Sequence, residues 1–335
     1  MRRPACVELF AGAGGASLGL YRAGFEHELC VELNQDACRT LSDAGFPALC
    51  EDVGKLTSTP PALLWWASPP CQPFSQAGKR RGAEDTRDGY PLLWRLFDVT
   101  PHRPTWLLIE NVAGLLVHRK KRCGDPAGCP GCYFAVLLEE ARSRFEWVGH
   151  RVLDAADFGV PQHRRRVILA CGPHALQWPE ATHGKGRVPF VSIREALPAT
   201  IATRASGSSG PFVVKELDRP AWFVRASDVN APSRAIGSRA NASVMWRPAP
   251  TITATEGRGC ATDTRRAPRT LRRRLTVEEC AVLQGFPADY PFHGNKTSRY
   301  RQVGNAVPPE MARVLGRAVI EAKADTLREP VGVSA

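Results

Sequence analysis

Cys71 stands in SPPCQPFS (68–75), just past an apolar run and between prolines. A thiol held there has little conformational freedom and becomes a nucleophile where its thiolate is favoured. Alone, such a cysteine would as readily be a half-buried hydrophobe in a rigid turn. Other residues bear on the choice. Glu110, in ENV (110–112), ends another apolar run and is expected to face the same crevice, where an apolar setting would let its carboxyl donate a proton. QHRRR (162–166) opens a further run, and alternation would send Gln162, Arg164 and Arg166 to one side, His163 and Arg165 to the other. A nucleophile, an acid and two guanidinium groups are thus expected to converge.

A second set of residues suggests what they converge on. FAGAGG (10–15) joins a strand to a helix, and its glycines would let backbone N–H groups approach a ligand at the carboxyl end of a sheet. The spacing is not that of the dinucleotide fingerprint, so the motif alone names no ligand. Glu32 ends the second strand, where a carboxylate can accept both hydroxyls of a ribose. Asp52 ends the next, within reach of an adenine amino group. Three polar features at successive strand ends describe an adenosine pocket.

These residues need a sheet to carry them. Apolar runs at 5–10, 27–33, 62–68, 105–112, 147–153 and 165–172 read as strands, separated by helical patterns at 14–24, 34–45, 90–100 and 133–145. The alternation predicts an α/β fold, a Rossmann-like, mostly parallel sheet with helices on both faces. It stops near residue 175, and a smaller, loop-rich domain is expected to follow. Helical patterns return at TVEECAVLQ (276–284) and PPEMARVLGRAVIEAKAD (308–325), the latter amphipathic and suited to pack back on the sheet.

Of the 335 residues, 43% are hydrophobic and 23% charged, as in ordinary globular proteins. No apolar run reaches the roughly 20 residues of a bilayer crossing and no signal-peptide pattern is seen, so a cytoplasmic protein is expected. The net charge is +12, and seven arginines (258, 265, 266, 269, 272, 273 and 274) crowd one stretch, which favours a polyanionic partner over a merely solvated surface. Eleven cysteines, an odd number, suggest reduced thiols.

FAGAGG, Glu32, DV (52–53), PPCQPFS, ENV, QHRRR, RRLTVEECAVLQGFP (273–287) and VGNAVPP (303–309) resemble, in spelling and order, the motifs of the DNA (cytosine-5) methyltransferase family. The resemblance covers 5–175 and 270–320. It implies a catalytic, S-adenosylmethionine-binding domain over 1–175, completed by a C-terminal helix at 303–325, a target-recognition domain over 176–290 and a flexible tail at 326–335. It implies methylation of carbon 5 of a cytosine flipped out of double-stranded DNA. Cys71 would add to carbon 6, Glu110 would protonate or hydrogen-bond N3, and Arg166, with Arg164 as second candidate, would hold O2. Phe10 would stack on adenine, and Ala11, Gly12, Gly14, Gly15, Glu32, Leu33, Asp52, Val53, Pro70 and Asn305 would line the cofactor pocket. Gln72, Ser75, Arg87, Gln162, Thr251 and Arg258 are the implied DNA contacts, and 77–89 corresponds to a closing loop over the flipped base.

The same resemblance implies a monomer near the nucleoid, with a separately encoded restriction endonuclease as candidate partner. One stretch departs from it. His118, Cys123, Cys129 and Cys132 have the spacing H-x4-C-x5-C-x2-C, which offers four tetrahedral ligands for a structural zinc. Three rivals remain. An RNA-methylating relative would carry a CFT motif, absent here. An amino-methyltransferase would place an aromatic where Cys71 stands. A non-catalytic DNA-binding homologue would have no need of Cys71, Glu110 and Arg166 together.

Overall fold

The computed structural model describes residues 2–70, 89–117, 132–197 and 276–326. Seven strands, β1 (Ala5–Leu9), β2 (Glu26–Glu32), β3 (Ala48–Cys50), β4 (Leu64–Ala67), β5 (Trp106–Val112), β6 (Trp147–Asp154) and β7 (Arg165–Gly172), form one sheet in the order β3-β2-β1-β4-β5-β7-β6. All pairs are parallel except those of β7, which runs antiparallel to both β5 and β6. A mostly parallel sheet is what the sequence implies, and the structure places the reversal at β7. β3 is only three residues long, too short to show a period.

Both faces of the sheet are covered, which is why its strands read as near-continuous apolar runs. Alternate residues go to opposite cores. Cys6, Trp66 and Leu108 meet Leu20, Leu315 and Val319 on one face, while Val7, Trp65 and Leu107 meet Leu93, Phe97 and Leu137 on the other. The first face is covered by α1 (Gly15–Ala23) and the C-terminal helix, and the second by α3 (Tyr90–Val99) and α4 (Cys132–Arg142). α2 (Gln35–Asp43) starts at Asn34, whose side chain accepts from Ala37 N.

Beyond β7 come the single turn α5 (Ile193–Ala196), then α6 (Val277–Gln284), α7 (Lys296–Asn305) and α8 (Pro309–Thr326). Thr276 opens α6 with a capping box to Glu279. The VGN of VGNAVPP is therefore the last turn of a helix. Among the described residues no helix is long and apolar enough to cross a membrane.

The order 3-2-1-4-5 reverses direction at β1, so the carboxyl ends of β1 and β4 bound a crevice of the kind in which open α/β sheets bind ligands.

Candidate active site

At that edge β1 passes into FAGAGG through Phe10, whose φ of 56° is the one positive value outside glycine among the described residues. Such a backbone costs on the order of 1–3 kcal/mol and is kept where its surroundings hold it. Gly12 follows at φ 58°, and a Cβ there would meet nothing within 4 Å, so this peptide borders open space. Its N–H donates to Glu32 Oε2 at 2.8 Å, while Asn34 N–H donates to Oε1 at 2.8 Å. Burial pushes the Glu32 carboxyl up from its ordinary value, and the backbone N–H groups of Asn34, Gly12 and Leu33 pull the other way. Leu33 is 68% exposed beside it. Asp52 caps a 3-10 turn, its Oδ1 accepting from Gly54 N at 2.8 Å. Val53 turns its side chain into the core.

The second half of the site lies where β4 and β5 end. Pro70, the last described residue before Cys71, packs against Gly89: a Cβ on Gly89 would lie 2.9 Å from Pro70 Cδ, 3.0 Å from Pro69 Cβ and 3.1 Å from Phe10 Cζ. The segment 71–88 therefore leaves and rejoins the described structure beside the Phe10 ring. Asn111 fixes the exit, its Nδ2 donating to Pro69 O at 3.3 Å and to Tyr90 Oη at 3.0 Å. The preceding residue, Glu110, forms a buried ion pair with Arg166, Nε to Oε1 2.6 Å. Antiparallel pairing of β5 with β7 sets Val112 opposite Arg166 and Glu110 opposite Ile168, so the pair is a diagonal cross-strand contact. The sequence suggests an apolar wall around Glu110. The structure adds a direct contact with one of the guanidinium groups expected to converge there, that of Arg166.

The family model for C-5 cytosine-specific DNA methylases matches residues 5–321. The chain belongs to that family. It is 30% identical over 323 residues to the Type II methyltransferase M.AplI of Arthrospira platensis, covering 93% of this chain and 84% of that one. It is 33% identical over 341 residues to M.NaeI of Lentzea aerocolonigenes, covering 93% and 74%. A DNA modification methyltransferase encoded within an E. coli prophage shares its fold, at TM-score 0.63, 21% identity and coverage of 96% and 99%. The protein is a DNA cytosine-5 methyltransferase with a Rossmann-like sheet.

In this methylase the residues of QHRRR do not all face the crevice. Arg164 is fully buried, and its Nη2 donates to Gly304 O at 3.1 Å and Ala306 O at 2.8 Å. Gln162, also fully buried, has no hydrogen-bond partner for either amide atom among the described residues. Of the residues expected to face the flipped base, Arg166 is the one that meets Glu110 among the described residues. β7 begins at Arg165, so Gln162, His163 and Arg164 precede the strand proper.

Arg164 and Gln284, whose Nε2 donates to Ala306 O at 2.7 Å, clamp the C-terminal segment onto the catalytic body. That segment returns to FAGAGG: a Cβ on Gly15 would lie 2.1 Å from Val307 O. Asn305 is exposed at the end of α7, two residues from this contact. Tyr290 braces the loop from the same side, donating to Ala13 O at 2.7 Å. Asn111, Gln284 and Tyr290 are not among the residues sequence reasoning selects, although all sit in or beside quoted motifs.

Cys71, Gln72, Ser75, Arg87, Thr251 and Arg258 lie outside the described residues, as do His118, Cys123 and Cys129 and most of the expected closing loop. Cys132 begins α4.

Proposed function

We propose that this methylase acts on a cytosine flipped out of double-stranded DNA, through a covalent adduct of Cys71, with S-adenosylmethionine as methyl donor. The observation that carries this reading is the buried Glu110–Arg166 pair, set beside the Pro69–Pro70 exit and across from the open crevice at Gly12. Covalent geometry puts the Cys71 Cα about 3.8 Å from that of Pro70. That chain connection supports a thiol acting at the end of the sheet where Glu110 and Arg166 pair.

The crevice fits the cofactor's adenosine. Gly12 leaves open space where a side chain would intrude, Glu32 offers a carboxylate already oriented by two peptides, and Leu33 exposes an apolar surface beside it. Phe10, Ala11, Gly14, Gly15, Asp52, Val53, Pro70 and Asn305 complete the proposed wall, Val53 through its backbone. When bound, S-adenosylmethionine supplies an electrophilic sulfonium methyl.

The chain's own part is to make carbon 5 of cytosine nucleophilic. Cys71 thiolate adds to carbon 6 and breaks the ring's aromaticity. Glu110, oriented by Arg166, protonates or hydrogen-bonds N3 as charge develops there, and Arg166 holds O2. Loss of the carbon-5 proton and expulsion of Cys71 end the cycle. Such chemistry requires an extruded base.

The recognition domain is proposed within the 176–290 expected from sequence, around the stretch 198–275. Residues on either side pack with one another and with the body: Ile193 and Leu197 share a core with Val277 and Phe286, and Phe190 stacks edge-on against His163. The Type II names of the relatives support a role beside a restriction endonuclease.

The test is bisulfite sequencing of the genome of a methylation-free host expressing the chain. Methylcytosine at one recurring motif is expected. Cys71→Ala should abolish it while leaving S-adenosylmethionine binding within about twofold, because a small thiol is removed from the far side of the crevice. An unmodified genome from soluble, cofactor-binding protein would refute the DNA substrate, and turnover by Cys71→Ala would refute the nucleophile.

A further inference from the structure

Beneath the FAGAGG loop lies a group of polar side chains for which methyl transfer has no use. Glu8, Ser17 and Cys30 are buried, at 1%, 0% and 0% exposure, and the His27 side chain is 2% exposed. Ser17 Oγ donates to Glu8 Oε2 at 2.5 Å and lies 3.9 Å from Cys30 Sγ. His27 Nε2 is 3.7 Å from the same Glu8 oxygen, yet neither ring nitrogen of His27 has a hydrogen-bond partner among the described residues. Buried polar atoms are nearly always paired, so two orphans on one ring call for a cause.

The backbone has been bent to produce this arrangement. His27 and Cys30 are three apart, and strict alternation would send them to opposite faces of β2. In the ladder, however, Cys6 pairs with His27 and the next residue, Val7, pairs with Leu29, leaving Glu28 as an extra residue. This is a β-bulge, rare between parallel strands, and bulges re-aim side chains. Here it turns the imidazole to the face that carries Cys30 and Glu8. The ligand atoms of Glu8, His27 and Cys30 all lie within 4.8 Å of one another, and no other such group of three occurs among the described residues.

We propose that Glu8, His27 and Cys30 bind one zinc ion, or a divalent ion of similar softness. One oxygen, one nitrogen and one sulfur are a donor set that zinc accepts, whereas calcium and magnesium take oxygen alone. Bond lengths of about 2.0–2.3 Å give a zinc tetrahedron edges of roughly 3.3–3.8 Å. The 3.7 Å His27–Glu8 separation exceeds the roughly 3.3–3.4 Å edge of a nitrogen–oxygen pair by only a few tenths of an ångström, and all three atoms lie within 4.8 Å, so a modest contraction closes the site. A carboxylate and a thiolate balance the ion's two charges, so the site is neutral overall, as burial demands. Binding releases the Cys30 thiol proton and occupies a ring nitrogen of His27. The Ser17 hydroxyl, bonded to Glu8 Oε2, would orient that carboxylate from outside the shell. The ion ties β1 to β2 and α1 directly below Phe10 and Gly12.

The experiment is elemental analysis of the full chain purified without chelator, followed by cobalt(II) titration of the metal-stripped protein. To separate this site from the cysteines at 123, 129 and 132, both measurements are also made with those three replaced by Ser. About one zinc per chain is expected in both forms, with a sulfur-to-cobalt charge-transfer band. Cys30→Ala should remove the band, and it and His27→Phe should each weaken binding by more than the roughly tenfold that loss of even an outer-shell partner costs. Metal-free protein that also gives no cobalt band, or metal lost with the 123–132 cysteines, would overturn the site. So would metal retained unchanged in Cys30→Ala. Should Cys30→Ala not fold, the cobalt band of the triple-Ser chain decides: present, it supports the site, and absent, it refutes it.

Discussion

Glu32 shows how one side chain can be held between two demands. Its burial favours the neutral carboxyl, while the N–H groups of Gly12 and Asn34 are aimed at the charged one. The sign for folding follows from the raised value: the native state holds this proton more tightly than the unfolded chain, so the group favours folding at low pH and opposes it once ionised. The sign for the proposed cofactor is the reverse, because only the carboxylate accepts hydrogen bonds from both hydroxyls of a ribose. Affinity for S-adenosylmethionine should therefore weaken as pH falls through the raised Glu32 value, before ordinary carboxylates protonate. Calorimetric titration at descending pH would measure it. Glu32→Gln should lower neutral-pH affinity by roughly 10- to 100-fold, the loss of one or two charge-assisted hydrogen bonds, and flatten the profile. A wild-type affinity constant across that range would remove Glu32 from the pocket.

At the scale of elements, the crevice depends on how closely α1 and α8 approach. A Cβ on Gly19 would lie 2.1 Å from Pro309 O and 2.7 Å from Ala312 Cβ, so the two backbones touch where the side chain is missing. Gly19→Ala would gain about 1 kcal/mol of helix propensity. It would nevertheless force the helices apart, and the net result expected in urea unfolding is a loss of about 1–3 kcal/mol. A neutral or stabilised variant would show that α8 can shift without harm to the sheet. Most of these elements were legible: α1, α2, α3, β2 and β5 follow from apolar spacing, and α8 from its stripe. α7 was not, because KTSRYRQVGN carries no apolar face, although Asn295 caps it through Ser298 N. That Arg164 bonds Gly304 O and Ala306 O was illegible for a different reason, because contacts between distant stretches of chain leave no local period. The bulge at Glu28 was hidden in the same way, since an extra residue in a ladder is visible only against its partner.

For the whole molecule, charge is distributed unevenly along the chain. Seven arginines between 258 and 274 stand against a net charge of +12, and the last three, Arg272, Arg273 and Arg274, directly precede α6. That helix is fixed: Thr276 and Glu279 cap it, and Gln284 at its end bonds Ala306 O. Whatever the arginines touch is thus tied through a short stretch of chain to the catalytic body. A DNA cytosine-5 methyltransferase must hold its DNA, and each phosphate that these arginines neutralise would release counterions. Each such contact contributes about 0.9 to the slope of log affinity against log salt concentration. Replacing Arg272, Arg273 and Arg274 by Gln should make that slope shallower by up to about 2.7 for a duplex of any sequence, with most of the loss of affinity at low salt. Fluorescence anisotropy across a salt series measures it directly. An unchanged slope would mean that these arginines face water rather than phosphate, and the polyanion would then have to be held by Arg258, Arg265, Arg266 and Arg269, farther from the docked helix.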